Sequence, residues 1–449
     1  MKKRLLAIFL AAMMLFLFGC SSGGTESTVS KPVSGTSSVP SSKPSVPTTS
    51  GTESTPGESV PEVDPVPVFI ERRVKDDFTY DLYSDHAEIV DYNGDDRKVT
   101  VPEMLNDVPV TTIGEWVFSE NTKMVEVTIP DSVEMIGMGA FFRCTSLEKV
   151  RLSDALKTLD SYAFGACKKL SKLEIPASVQ EVGVEVFLDT PWLAAQTDAF
   201  LIVGDGVLVN YNGSGDAVIP AGVKKIAPYA FAGENAVTSV TIPAGVTEIG
   251  EYAFRNCKAL VTVSLPNSLV LVDDYAFYGC EALAQAQFAP GLTALGEGAF
   301  YNCKKLASVY LPEGVTEIGG YAFYNNVALA SIVIPDSVTE IGGGAFYSCT
   351  ALSSVKLPKN LTVLNGALFS FCNRLTEVEI PEGVTRVGYE AFKGCSALSV
   401  AKIPATVTEF GENAFLSCTK LTVVSPAGSV ATAYATEKGI ACATEVPTV

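Results

Sequence analysis

Histidine is nearly missing: His86 is the only one in 449 residues. Ser-His-Asp or Cys-His catalysis would have to run through that single residue, and any site built from several histidines is excluded. None of the eleven cysteines forms a Cys-x-x-Cys pair, so the usual ligand spacing of a structural zinc site is missing too. Positive charge is scarce, with 32 Lys and Arg against 50 Asp and Glu and a net charge of −18. That balance argues against a nucleic-acid phosphate partner and against docking by a basic face on anionic lipid. No nucleophile motif, no cofactor fingerprint and no segment large enough for a separate catalytic domain is found. Past Phe18 no apolar run reaches the length of a membrane helix. Hydrophobic residues still make up 47% of the chain, so most of it has a core to bury.

Met1-Lys2-Lys3-Arg4 is basic, residues 5–18 are apolar, and Gly19-Cys20 follows. A run of about fourteen apolar residues is short for a bilayer and reads as a secretory signal. Leu17-Phe18-Gly19-Cys20 resembles a bacterial lipobox, with Phe18 bulkier than that pattern usually places there. The resemblance implies that residues 1–20 are a lipoprotein signal and that Cys20 is acylated, tethering an exported chain to the outer face of the cell membrane. The alternative is ordinary secretion, with Cys20 left in the discarded peptide. Residues 21–67 hold Ser, Thr, Pro, Gly and Val with scattered charges, and no Leu, Ile, Met or aromatic residue. They cannot bury enough surface to offset chain entropy and read as a disordered stalk, about 40 Å long on average as a flexible coil.

Beyond the stalk the chain repeats itself. Residues 248–266 read EIGEYAFRNCKALVTVSLP, residues 317–335 read EIGGYAFYNNVALASIVIP, and residues 340–358 read EIGGGAFYSCTALSSVKLP. The anchors are Phe118, Phe141, Phe164, Phe187, Phe231, Phe254, Phe277, Phe300, Phe323, Phe346, Phe369, Phe392 and Phe415. They are 23 residues apart except for one step of 44, which adds 21 residues. Counting from the phenylalanine, Cys stands at +3, Leu at +6, Val at +9, Ile or Leu at +11 and usually Pro at +12. Alternation at +9 and +11 marks a short strand with one buried face, and the proline ends it. One 23-residue unit cannot enclose a core, so neighbours must stack, with their strands in a parallel ladder.

This pattern resembles the BspA-type leucine-rich repeat of bacterial cell-surface proteins. The fold it implies is a leucine-rich-repeat-like solenoid, a right-handed curved array with the parallel β-ladder on its concave face and turns or short helical segments on its convex face. The thirteen repeats span residues 111–424. The asparagine ladder of general leucine-rich repeats is missing: Ser132, Ser268, Gly314, Ser337 and Gly383 stand near its place. Residues 68–110 read as an N-terminal cap, with Ile89 to Tyr92 and Lys98 to Val101 joined as a hairpin by the turn Asn93-Gly94. The extra residues read as a second hairpin, within about 188–218, projecting from the array edge. Residues 425–449 form the C-terminal cap, including a short helix over 429–438 with a serine start and Gly439 as its stop.

Nine units carry the cysteine, as Cys144, Cys167, Cys257, Cys280, Cys303, Cys349, Cys372, Cys395 and Cys418, while Asn121, Thr190, Glu234 and Asn326 replace it elsewhere. Stacking would bring equivalent positions within bridging range, but an odd count with irregular gaps reads as a structural ladder of free, buried thiols. Asp91, Asn93 and Asp95 mimic a calcium loop, yet its glycine position is Asp96 and its closing glutamate position is Pro102, so a turn explains them. Asp273-Asp274 and the pair Glu377, Glu379 read as solvated surface rather than acid/base partners. His86 is given no role. No metal and no cofactor is expected.

Two surfaces remain as candidate binding sites. The outward ladder positions are mostly Ser, Thr, Ala and Gln in mid-array, with Lys149, Arg151, Lys172 and Glu174 charging one end and Glu377 and Glu379 the other. Tyr310 and Val333 make an apolar spot there. Directly after the anchor, Tyr278, Tyr301, Tyr324 and Tyr347 fall in four consecutive units at a position that elsewhere holds Gly165, Ala232, Arg255, Ser370 or Lys393. That column either meets sugars or a partner's side chains, or stacks on itself and stiffens the array. The family resemblance implies attachment to host matrix proteins or to other cells. The expected function is therefore surface-displayed recognition of an extracellular protein or glycan, without catalysis. The alternatives are a structural envelope component and, further off, a surface enzyme acting on glycans or peptidoglycan.

Overall fold

The computed structural model describes residues 66–444 apart from Ala289, within a compact unit running from Pro65 to Val449. The expected signal, Cys20 and the stalk as far as residue 65 lie outside the described residues.

Each unit contributes two strands, and these build two parallel ladders. Three-residue strands such as Thr262–Ser264, Ser308–Tyr310 and Ser331–Val333 occupy +8 to +10, with the middle residue buried and its neighbours facing out. The second ladder, of two-residue strands such as Glu248–Ile249, Glu317–Ile318 and Glu340–Ile341, precedes the anchor by six and five residues. Its register advances by one 23-residue unit per rung, as in Glu317↔Glu340 and Ile318↔Ile341. The face expected to carry turns or short helices thus carries this ladder and a stack of turns. Among the described residues, the α-helices are Pro191–Ala194 and Val430–Glu437.

Stacked side chains fill the space between the ladders. Phe254 lies 5.0 Å from Phe277 and Phe277 5.1 Å from Phe300, with rings nearly parallel. Each such pair contributes about 0.5–1.5 kcal/mol beyond the area it buries. The nine repeat cysteines are free and buried beside this column. They do more than fill space: the Cys257 thiol donates to the Phe231 carbonyl at 3.0 Å, and Cys280 to that of Phe254 at 3.1 Å, one unit back each time.

Other backbone groups are satisfied by bonds from unit to unit, which answers for the missing asparagine ladder. The Phe254 N–H donates to Ala276 and that of Asn256 to Tyr278. Two serines near the expected asparagine position join in, Ser268 donating to the Val246 carbonyl and Ser337 to that of Val315. Thr316 and Thr339 donate to the carbonyls of Thr293 and Thr316, one unit earlier.

The turn around each anchor reverses the chain with two left-handed residues, two before and two after the phenylalanine. Tyr252 and Asn256 have φ of 55° and 58°, and Tyr321 and Asn325 have 55° and 56°. At the first of these positions Gly344, with φ of 64°, lies against the Tyr321 ring, which leaves no room for a Cβ.

Both irregular segments join the ladders. Lys98–Thr100 pairs in parallel with Glu126–Thr128, so Asn93-Gly94 does not close the expected hairpin. Ala87–Tyr92 pairs instead with Phe78–Tyr83 and, in parallel, with Val108–Ile113. The cap's antiparallel hairpins share Phe78–Tyr83, which pairs with Phe69–Lys75 on one side and Ala87–Tyr92 on the other. The cause is register: segment 98–100 has the alternation of a three-residue rung and finds its partner one unit on. The inserted hairpin, Phe200–Val203 against Val207–Tyr211, likewise does not stand apart. Its second strand is a rung beside Lys225–Ile226, and Tyr211 stacks 4.7 Å from Phe231 in the aromatic column. The buried core divides here into one cluster ending near Val207 and another beginning at Leu208. At the far end, Ser429 caps the helix Val430–Glu437 by accepting from the Thr432 N–H, and Gly439 follows with φ of 66°.

Candidate binding surfaces

The four tyrosines of the turn face stack on one another. Ring centroids are 5.1 Å apart for Tyr278 and Tyr301, 4.2 Å for Tyr301 and Tyr324, and 5.1 Å for Tyr324 and Tyr347, with interplanar angles of 19°, 10° and 13°. Rings at this spacing leave no gap for a sugar to enter between them. Each is half-buried. Burial pushes the Tyr301 and Tyr347 phenols above their ordinary range.

A second tyrosine column, two residues before the anchor, joins the first. Tyr229 lies 5.1 Å from Tyr252, which lies 5.1 Å from Tyr275. Tyr275 then meets Tyr278 at 6.2 Å and Tyr301 at 6.4 Å. The Arg255 guanidinium sits 5.4 Å from the Tyr252 ring centre and 6.0 Å from that of Tyr278. The signal for this column was the recurring Tyr-Ala-Phe, as at 252–254, 275–277 and 321–323. The Tyr275 hydroxyl donates to the Glu297 carboxylate. Burial and the neighbouring Asp273 and Asp274 push the Glu251 carboxyl up, and burial also raises Asp273, which is half-buried rather than solvated.

The outward strip of the three-residue ladder differs in kind. Tyr310 and Val333 are in register in adjacent strands and are 62% and 66% exposed. At the charged ends of the strip, side chains pair across units: Lys149 with Glu126 at 2.9 Å and Lys402 with Glu379 at 3.0 Å. Between those ends, from Ser239 to Ser354, the outward residues flanking each buried strand centre carry no charge.

The remaining candidates are spread along the molecule. His86 stacks 4.5 Å over Tyr83 and bonds Asp85, while Asp95 pairs with Lys123. Among the described residues no group of three or more His, Cys, Asp or Glu side chains is placed to hold a metal ion, and no helix is long and apolar enough to cross a membrane.

Units that each add a rung to two parallel ladders, a ring to a phenylalanine column and, in most, a thiol to a buried row define a leucine-rich-repeat solenoid. The chain belongs to the BspA type leucine rich repeat family, whose pattern matches residues 98–197, 224–352 and 317–435. It is similar to a leucine rich cell surface protein of Faecalibacterium prausnitzii, at 28% identity over 82% of this chain and 97% of that one, with a TM-score of 0.37. It is also similar to leucine-rich repeat proteins of Bacteroides ovatus (24% identity, 78% and 94% covered, TM-score 0.34) and Eubacterium ventriosum (21%, 77% and 93%, 0.39). No curated protein matches.

Proposed function

We propose that this chain is a surface-displayed recognition protein that binds an extracellular protein or glycan along its ladder strip and performs no catalysis. The observation that carries this reading is the exposure of Tyr310 and Val333, side by side on a strip that is otherwise hydrophilic there. The core does not need them: Ser264 and Gln287 hold the same position in preceding units. Exposed apolar side chains on a rigid, polar-rimmed face are what a binding partner covers. An extended repeat face gains affinity from many contacts rather than one pocket.

Display at the cell surface, through acylation of Cys20 and the stalk after it, belongs to the same proposal. The tyrosine column is assigned a mainly structural part, because its rings already use one another as stacking partners.

The test is saturation binding of the purified full chain to immobilised extracellular-matrix proteins and to a glycan panel. Saturable binding to a member of either set supports recognition. A purely structural envelope component would bind none of them.

A further inference from the structure

The uncharged stretch of the strip contains a groove of about 530 Å³, lined by Thr262, Ser264, Asn267, Gln285, Gln287 and Tyr310 together with apolar residues of the strands and of the turns that follow them. We propose that this groove binds a neutral glycan. The inference rests on the recognition reading above and adds the ligand's chemical class and its site.

Three observations converge. First, the strand pairs on either side of the groove's centre are thinly registered. Full register over three residue pairs is seen between residues 239–241 and Thr262–Ser264, between Ser331–Val333 and Ser354–Lys356, and, inside the groove, between Gln285–Gln287 and Ser308–Tyr310. Thr262–Ser264 and Gln285–Gln287 register through Thr262↔Gln285 alone, and Ser308–Tyr310 and Ser331–Val333 through Tyr310↔Val333 alone. Second, the outward side chains have spare hydrogen-bonding capacity. Ser239 donates to Asp216 and Lys402 pairs with Glu379, whereas Thr262, Ser264, Asn267, Gln285 and Gln287 make no side-chain hydrogen bond among the described residues. Third, no charge lines the groove, in a chain whose net charge is −18.

Amides and hydroxyls each both donate and accept, as sugar hydroxyls do, so a row of them matches a polyhydroxylated chain. The exposed Tyr310 ring supplies an apolar surface beside that row. An anionic polysaccharide would find no cation in the groove and a repelling field around it. The volume falls within the range of small-molecule sites, enough for a few sugar units with the rest of the glycan lying along the strip.

The test is calorimetric titration of the full chain with unbranched neutral hexose oligosaccharides, with hyaluronan and heparin fragments as acidic comparators and matrix proteins run in parallel. Neutral oligosaccharides should bind and acidic ones should not. Gln287→Ala and Tyr310→Ser should each weaken binding by about tenfold or more, the worth of one lost polar or stacking contact. Tyr310→Phe should stay within about threefold. Circular dichroism of each variant should match that of the parent, since these side chains lie outside the core. Neutral-glycan binding that survives both substitutions would overturn the site. Binding of matrix protein alone, or of acidic glycans alone, would overturn the ligand class and leave recognition standing. Binding of none of these probes would overturn both.

Discussion

The Cys349 thiol donates to the Phe323 carbonyl, 3.1 Å away and one unit earlier. The residue at the equivalent place in the Phe323 unit is Asn326, fully buried, and neither its amide nitrogen nor its amide oxygen has a partner. A thiol satisfies this site with one weak donor and a small apolar body, whereas an amide brings two polar groups that the site cannot serve.

Asn326→Cys should therefore stabilise the fold by about 1–2 kcal/mol, since the cost of a buried unsatisfied amide disappears. A urea denaturation midpoint that rises with an unchanged slope would show it. A midpoint that stays put or falls would mean that the amide is satisfied after all.

The thiol row also sets a pH dependence. Burial pushes the Cys349 thiol up to about 12 from 9.0, and raises Cys280, Cys303 and Cys372 as well. Burial likewise raises the phenols of Tyr275 and Tyr301. In the unfolded chain the thiols lose protons near pH 9 and the phenols near pH 10, while the folded chain keeps them. The unfolded state then binds fewer protons, so stability falls as pH rises above about 9, and these groups add no slope below it. Urea midpoints should hold level from pH 7 to about 8 and then decline from about 9 to 11. A flat profile would contradict thiols and phenols shielded by the fold.

Gly344 tests the turn geometry. With its φ of 64° and the Tyr321 ring against it, Gly344→Ala should cost about 1–3 kcal/mol. Gly320→Ala, one position earlier in the preceding unit's turn, has no positive φ and brings its Cβ to 3.3 Å from the Gly343 carbonyl oxygen, so it should cost less than Gly344→Ala. In a Tyr321→Ala background the cost at Gly344 should shrink, leaving the backbone part alone. Equal costs in both backgrounds would remove the ring from the explanation.

Much of the fold was legible because each 23-residue unit repeats its own chemistry. Val263 and Leu265 mark a strand by alternation, Pro266 marks its end, and the phenylalanine spacing requires stacking. The second ladder was harder to see, since two residues such as Glu248 and Ile249 are too few to show a period. The left-handed residues were hidden because Tyr252, Asn256 and Ser348 hold places where glycine is the usual signal. The Asn93-Gly94 turn misled because the local hairpin signal cannot report that residues 98–100 already have a partner at 126–128. At the candidate site, the column of Tyr278, Tyr301, Tyr324 and Tyr347 was visible as spacing. Its self-stacking was not, because ring separation depends on the rise per unit and on rotamers.

Recognition through the ladder strip is tested most directly by comparing two variants of the full chain against the ligand it binds. One carries Tyr310→Ser with Val333→Ser; the other carries Phe at Tyr278, Tyr301, Tyr324 and Tyr347, which keeps the stacked rings and removes their hydroxyls. The strip variant should lose about tenfold or more in affinity, while the column variant should stay within about twofold. Loss in the column variant with the strip variant unchanged would move the binding site to the turn face and contradict the assignment.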